Sequence, residues 1–225
     1  FNVVGMEKMP GFKLTLPLLE RLLKMVIYGD LLQKMLTKNR AYEINKGETE
    51  KLFNEWLEKC KKLVTKSTNK QFKQSIYDFE KIELDTSIEK PKVGVVGEVL
   101  IKYHPFGNNY VANVLEKEGA EVILPDFMGF VKFMATHKIT FNTLLKTTPT
   151  IAKISKAAIK LIDILEKDVK IALANSKKGY MQPCDIFHLE EQVKDVLSIG
   201  NQTGEGWFLT AEMIEYMENG IPNIV

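Results

Sequence analysis

Residues 92–125, KVGVVGEVLIKYHPFGNNYVANVLEKEGAEVILP, change their hydrophobic period twice within one short stretch, and few folds accommodate such a pattern. Val93, Val95 and Val96 form an apolar run punctuated by Gly94 and Gly97, and residues 121–124 form a second run. Both read as strands buried in a parallel sheet. Between them Tyr110, Val111, Val114 and Leu115 recur at helical spacing, and Gly119 follows where a helix takes a left-handed cap. The unit is therefore strand, loop, helix, strand. Its loop, residues 98–109, leaves the carboxyl end of the first strand, which is where open α/β sheets bind their ligands.

The flanking sequence is helical in pattern. Residues 16–36 carry Leu19, Leu22, Leu23, Val26 and Ile27 around more than one face, as in a helix covered on several sides, with Gly29-Asp30 as a place to bend or divide it. Residues 39–46 read as a polar turn, followed by a helix with Glu48 and Glu50 in its first turn and an apolar stripe through Phe53, Trp56, Leu57, Cys60 and Val64. Phe72, Ile76 and Phe79 mark another half-buried helix. These make a helical lobe, residues 1–90, with a strand at 2–4 and a turn at 10–11. Residues 91–225 form the α/β domain. Within it, 126–178 are a helical insertion: Asp126 is a candidate cap for a helix that closes near His137, and Ile154, Ala158, Leu161, Ile162 and Leu165 mark a second helix. Asp185 is a candidate cap for the next, and 207–217 form the last before a strand at 223–225. The fold class expected is α/β: a Rossmann-like three-layer unit with a small, mostly parallel sheet, rich in helix, plus an α-helical N-terminal lobe.

Several functions are excluded by composition and motif. A net charge of +2 with lysines scattered among acids offers no field to nucleic acid. Lys, Glu or Asp interrupts every long apolar run, so no membrane span is expected. Neither a Walker lysine loop, a dinucleotide fingerprint, an HExxH pair nor a nucleophile elbow is present. His188-Leu189-Glu190 lacks the following PCxxC of a zinc deaminase. The two cysteines, Cys60 and Cys184, lie far apart, as suits a reducing cytoplasm.

Two loops can carry chemistry. Asn201, Gln202, Thr203, Gly204, Glu205 and Gly206 precede a helix whose unpaired amides suit an anion, although the Glu205 carboxylate would repel a phosphate there, and a turn needing two glycines for positive φ explains the same string equally well. In the other loop Lys102 and His104 can hold an anionic or carbonyl group, with Asn108 lining the site and Asn108 or Asn109 capping the following helix. Glu98, His104 and Glu205 are the candidate acid-base groups, while a loop anchor is the plainer reading of His104. If strands 92–97 and 223–225 are parallel neighbours, both loops line one cleft at the carboxyl edge.

Residues 97–122 (GEVLIKYHPFGNNYVANVLEKEGAEV), 39–53 (NRAYEINKGETEKLF) and above all 200–225 (GNQTGEGWFLTAEMIEYMENGIPNIV) resemble the activator-related proteins of the 2-hydroxyacyl-CoA dehydratase system of anaerobes. The resemblance implies a trimmed piece of a longer protein, with the last strand running on into a cysteine and a proline-rich motif. It also implies that the intact protein holds a four-iron four-sulfur cluster, and that it is a component or activator of an (R)-2-hydroxyacyl-CoA dehydratase, a lyase system. The partners implied are acyl-CoA or another anionic small molecule, and dehydratase or activator subunits or domains. With only Cys60 and Cys184, the present chain is expected to bind no cluster and to be inactive alone. The other class of function open to it is a non-enzymatic module that binds an anion or scaffolds a subunit.

Overall fold

The computed structural model describes residues 15–63, 69–146 and 149–225. Their order is α1 (Leu16–Tyr42), α2 (Glu48–Leu63), α3 (Asn69–Glu80), β1 (Lys92–Gly94), α4 (Val99–Tyr103), α5 (Val111–Lys117), β2 (Glu121–Ile123), α6 (Phe127–Leu145), α7 (Pro149–Ala174), α8 (Ile186–Val193), a 3-10 turn (Thr203–Glu205), α9 (Trp207–Glu218) and β3 (Asn223–Ile224). The class is mixed α/β, rich in helix, with one three-stranded parallel sheet of order β2-β1-β3. Lys92 pairs with Glu121 and Val93 with both Val122 and Asn223. The strands expected at 92–97 and 223–225 are thus parallel neighbours, and Val96 N–H still donates to Val225 O beyond the regular ladder (2.8 Å). The strand expected at 2–4 and the turn at 10–11 lie outside the described residues.

One apolar cluster joins α1, α2 and α3 to α6 and α7, with Leu32, Phe72 and Phe79 meeting Met128, Ile162 and Val169. A second, around Trp207, Phe208, Phe133 and Leu189, packs α9 and α8 against α6 and α7. In it the Phe133 and Phe208 rings stack at 5.0 Å. Stripe residues such as Trp56, Cys60, Phe72, Ile76 and Phe79 meet here, because burial of a stripe is what fixes a helix against its neighbours. In α7 the buried face runs instead through Ala152, Ile159, Ile162 and Val169, while Ile154 and Leu161 of the expected stripe are exposed.

Helix limits and caps differ from the sequence reading in several places. Helix α1 runs unbroken through Gly29-Asp30 and through the expected turn at 39. Asn39 is wholly buried, its amide donating to Met35 O one turn back and to Tyr180 Oη (2.7 Å each), so Tyr180 from outside the helix helps satisfy a residue that otherwise favours turns. Helix α6 does not close at His137 but continues to Leu145, with the His137 ring stacked on Phe141 at 4.5 Å. Asp126 makes no side-chain cap to α6. Asp30 from α1 does so instead, its two carboxylate oxygens accepting from Phe127 N–H (3.0 Å) and Met128 N–H (2.9 Å), while Asp126 pairs with Lys34 at 2.9 Å. Residues 98–109, read as a loop, contain α4, and Tyr110 stands outside α5 in a left-handed conformation.

Candidate functional site

The β1 loop and the 201–206 loop touch. Val99 N–H donates to Glu205 Oε1 (2.9 Å), and Lys102 Nζ reaches both carboxylate oxygens of Glu212 on α9 (2.9 Å each). The parallel pairing of β1 with β3 brings this about, since it sets the start of α4 beside the turn that leads into α9.

The 201–206 loop is held in an unusual conformation. Gly204, Glu205 and Gly206 have φ of 63°, 58° and 42° in succession. A Cβ on Gly206 would lie 1.7 Å from Asn201 O, and that same carbonyl accepts from Trp207 N–H (2.8 Å) to close the loop. A left-handed glutamate costs on the order of 1 kcal/mol, which the buried bond from Val99 N–H to its carboxylate offsets. Glu205 Oε2 is buried with no hydrogen-bond partner. The loop therefore places a buried carboxyl group at the very helix start that the sequence offered to an anion. Its other side chains serve the loop itself: Asn201 Nδ2 donates to Ser198 O (3.0 Å) and Gln202 Nε2 to Ile199 O (2.6 Å). Thr203 and Gly204 are exposed.

In the other loop the candidate groups are engaged as well. Glu98 is exposed and caps α4, accepting from Ile101 N–H (3.0 Å). His104 Nδ1 accepts from Gly107 N–H (3.0 Å), which leaves only Nε2 for another partner. Asn108 donates to Ile101 O and Lys102 O and accepts from Val111 N–H. Lys102 is buried and its charge is met by Glu212, so it presents no free ammonium to a ligand.

Behind this edge lies a group of buried ionisable residues that the sequence reading missed. Burial pushes the Glu212 carboxyl up to about 7 against the opposing pull of Lys102. Burial, with Asp126 beside it, pushes Glu215 up to about 7 and Asp30 to about 8. Gly94 has no room for a Cβ, which would meet the Tyr216 ring at 2.4 Å, so α9 packs directly on the β1 backbone. A signal for Glu212 was present: it shares the i, i+3, i+4 stripe of Phe208 and Ala211, where an acid must be buried and therefore paired. Lys132 on α6 is the same case. It is fully buried, with Nζ 2.6 Å from Glu166 Oε2 and 3.1 Å from Cys184 O.

The donors present do not fit an iron-sulfur cluster. Cys60 sits in the core at 3 % exposure, where burial pushes its thiol up to about 11, and burial raises that of Cys184 as well. Among the described residues no three His, Cys, Asp or Glu side chains are grouped to hold a metal ion, and no helix is long and apolar enough to cross a membrane. No family model, curated protein or solved structure matches the chain.

Proposed function

We propose that the chain is the Rossmann-like α/β unit of a protein of the 2-hydroxyacyl-CoA dehydratase system, acting in the cytoplasm as a dehydratase component or as an activator. In this reading the carboxyl edge of its sheet is the face on which the intact protein assembles its site. The resemblance over 200–225 carries the family reading. The contact of Val99 with Glu205 supports the choice of edge, because it joins the two loops within that resemblance into one rigid surface. Parallel order β2-β1-β3, with the first strand in the centre, is also the arrangement expected of a Rossmann-like unit. Glu98, His104 and Glu205 remain the acid-base candidates and Lys102 a positioning residue, holding α9 through Glu212.

Cys60 and Cys184 are unsuited to a cluster, so any cluster draws its thiolates from outside these 225 residues. The intact protein, purified anaerobically, is expected to show broad visible absorption with stoichiometric iron and sulfide. A colourless protein would overturn the reading and leave a binding or scaffolding module. The scaffolding half of that alternative has its own support, since Lys102, Asn108 and Gln202 are all engaged in holding the fold. The 225-residue chain itself is expected to take up no iron on anaerobic reconstitution.

A further inference from the structure

Two roomy cavities lie towards the other end of the sheet. One, of about 230 Å³, runs along β2 beside α1, with Lys34, Lys38 and Lys92 among its walls. A second, of about 510 Å³, is lined by Tyr42, Leu84 and Ile88 and by Lys177 and Lys178, among others. Both are lined by Lys38, Lys92 and Glu121; the smaller follows β2 on to Leu124, and the larger is the cleft at the amino edge, where β1 and β2 begin. Its size is that of a small-molecule site, whereas a cavity bordered by Asp126, Glu212 and Glu215 measures only about 10 Å³, room for one water at most.

The cleft has positive charge to spare. Lys38 is met by Glu121 at 2.8 Å, and Tyr42 Oη also donates to that carboxylate (2.8 Å). Lys34 is met by Asp126. Lys178 Nζ donates to three neutral oxygens, Asn39 Oδ1, Phe79 O and Ile82 O (2.6 to 2.7 Å), so its charge has no carboxylate in contact, and burial draws its pKa down to about 8. Lys92 and Lys177 have no hydrogen bond or ion pair through their ammonium groups among the described residues. Two acids, Asp85 and Glu89, line the larger cavity, and Asp85 accepts from the Ser87 amide and hydroxyl. Ile88, in the same lining, stands 52 % exposed. The backbone of this wall is tied to the end of α1 through Ile44 N–H to Glu83 O (3.1 Å) and Asp85 N–H to Tyr42 O (2.8 Å). Two ammonium groups without a carboxylate partner and exposed apolar side chains lining one cleft are complementary to a doubly charged head on a carbon body, and a phosphate dianion gains about twice the Coulomb energy of a carboxylate there.

We propose that this amino-edge cleft binds a small organic phosphate, its phosphate held by Lys92 and Lys177 and its apolar body lying against Tyr42, Leu84 and Ile88. The site is separate from the carboxyl edge and does not depend on the dehydratase reading. Titration calorimetry of the whole chain with phenyl phosphate tests it, with inorganic phosphate and phenol as the two halves. Saturable one-to-one binding is expected, about tenfold or more tighter than either half. Lys92→Glu and Lys177→Glu should each weaken it by about tenfold or more, and Lys153→Glu on the exposed side of α7 should leave it unchanged. Lys92→Gln and Lys177→Gln, which remove charge without reversing it, should weaken binding in the same order with an unaltered circular dichroism spectrum. No saturable heat, inorganic phosphate or phenol binding as tightly as phenyl phosphate, or an equal loss in Lys153→Glu would each overturn the proposal.

Discussion

Lys102 Nζ lies 2.9 Å from both carboxylate oxygens of Glu212, with the two side chains 2 % and 3 % exposed. This ion pair joins α4 to α9 beneath the carboxyl edge, where water cannot replace a missing partner. Lys102→Met should therefore cost roughly 3–5 kcal/mol in urea unfolding, because it strands a buried acid. Lys102→Met combined with Glu212→Leu should recover most of that loss. Equal stability of the single and double variants would show that the two groups do not act as a unit.

Asp30 caps a helix that is remote in sequence. Its oxygens take the Phe127 and Met128 amides, and loss of a cap typically costs about 1–2 kcal/mol. Asp30→Ala is expected to lower stability by that amount, and Asp126→Ala to act differently, through loss of the Lys34 pair. Hydrogen exchange at the first turn of α6 should accelerate in Asp30→Ala only. Faster exchange there in Asp126→Ala instead would reverse the assignment.

Gly204 and Gly206 both have positive φ, yet they should not respond alike to alanine. Nothing lies within 4 Å of a Cβ on Gly204, so Gly204→Ala is expected to cost only the left-handed penalty, about 1–2 kcal/mol. At Gly206 the new methyl would overlap the Asn201 carbonyl. Moving that carbonyl breaks the Trp207 N–H bond, so Gly206→Ala should cost about 3 kcal/mol or more. Denaturant midpoints of the two variants measure the difference, and equal midpoints would show that the loop relaxes freely.

Stability should fall as pH rises from about 4.5 to 8. Burial raises Asp30 to about 8 and Glu212 and Glu215 to about 7, so the fold binds their protons more tightly than the unfolded chain does. Such a group contributes its full stability below the unfolded pKa of about 4, and the contribution is lost as pH passes through the folded value. Glu215→Gln removes one of these ionisations, along with its repulsion from Asp126 and Glu212 and its attraction to Lys34. Thermal melts at pH 5 and pH 8 should show a smaller drop in Glu215→Gln than in the parent, and an equal or larger drop would exclude Glu215 as a source.

Much of this architecture was legible in the residues because periodicity is a local property. The alternation of 92–125 gave β1, α5 and β2, and the stripe through Phe72, Ile76 and Phe79 gave α3 and its buried face. Asp185 was legible as a cap because its partners, the amides of Phe187 and His188, are two and three residues away. The meeting of the β1 and 201–206 loops followed from the parallel pairing of the first and last strands.

Long-range partners decided the rest. Asn39 stays helical because Tyr180 supplies its bond from 141 residues away, and Asp126 gives up its capping role to Asp30 because α1 crosses the start of α6. Lys102 reads as a free cation in a loop until α9 brings Glu212 against it. The amino-edge cleft, too, arises only where α1, β1, β2 and residues 177–182 converge. Sequence alone determined which segments are helical or extended and most of the faces they bury, since these follow from spacing. Only the tertiary structure decided which charges are neutralised and which remain free for a ligand, because a charge's environment is set by the residues that packing brings within a few ångströms of it.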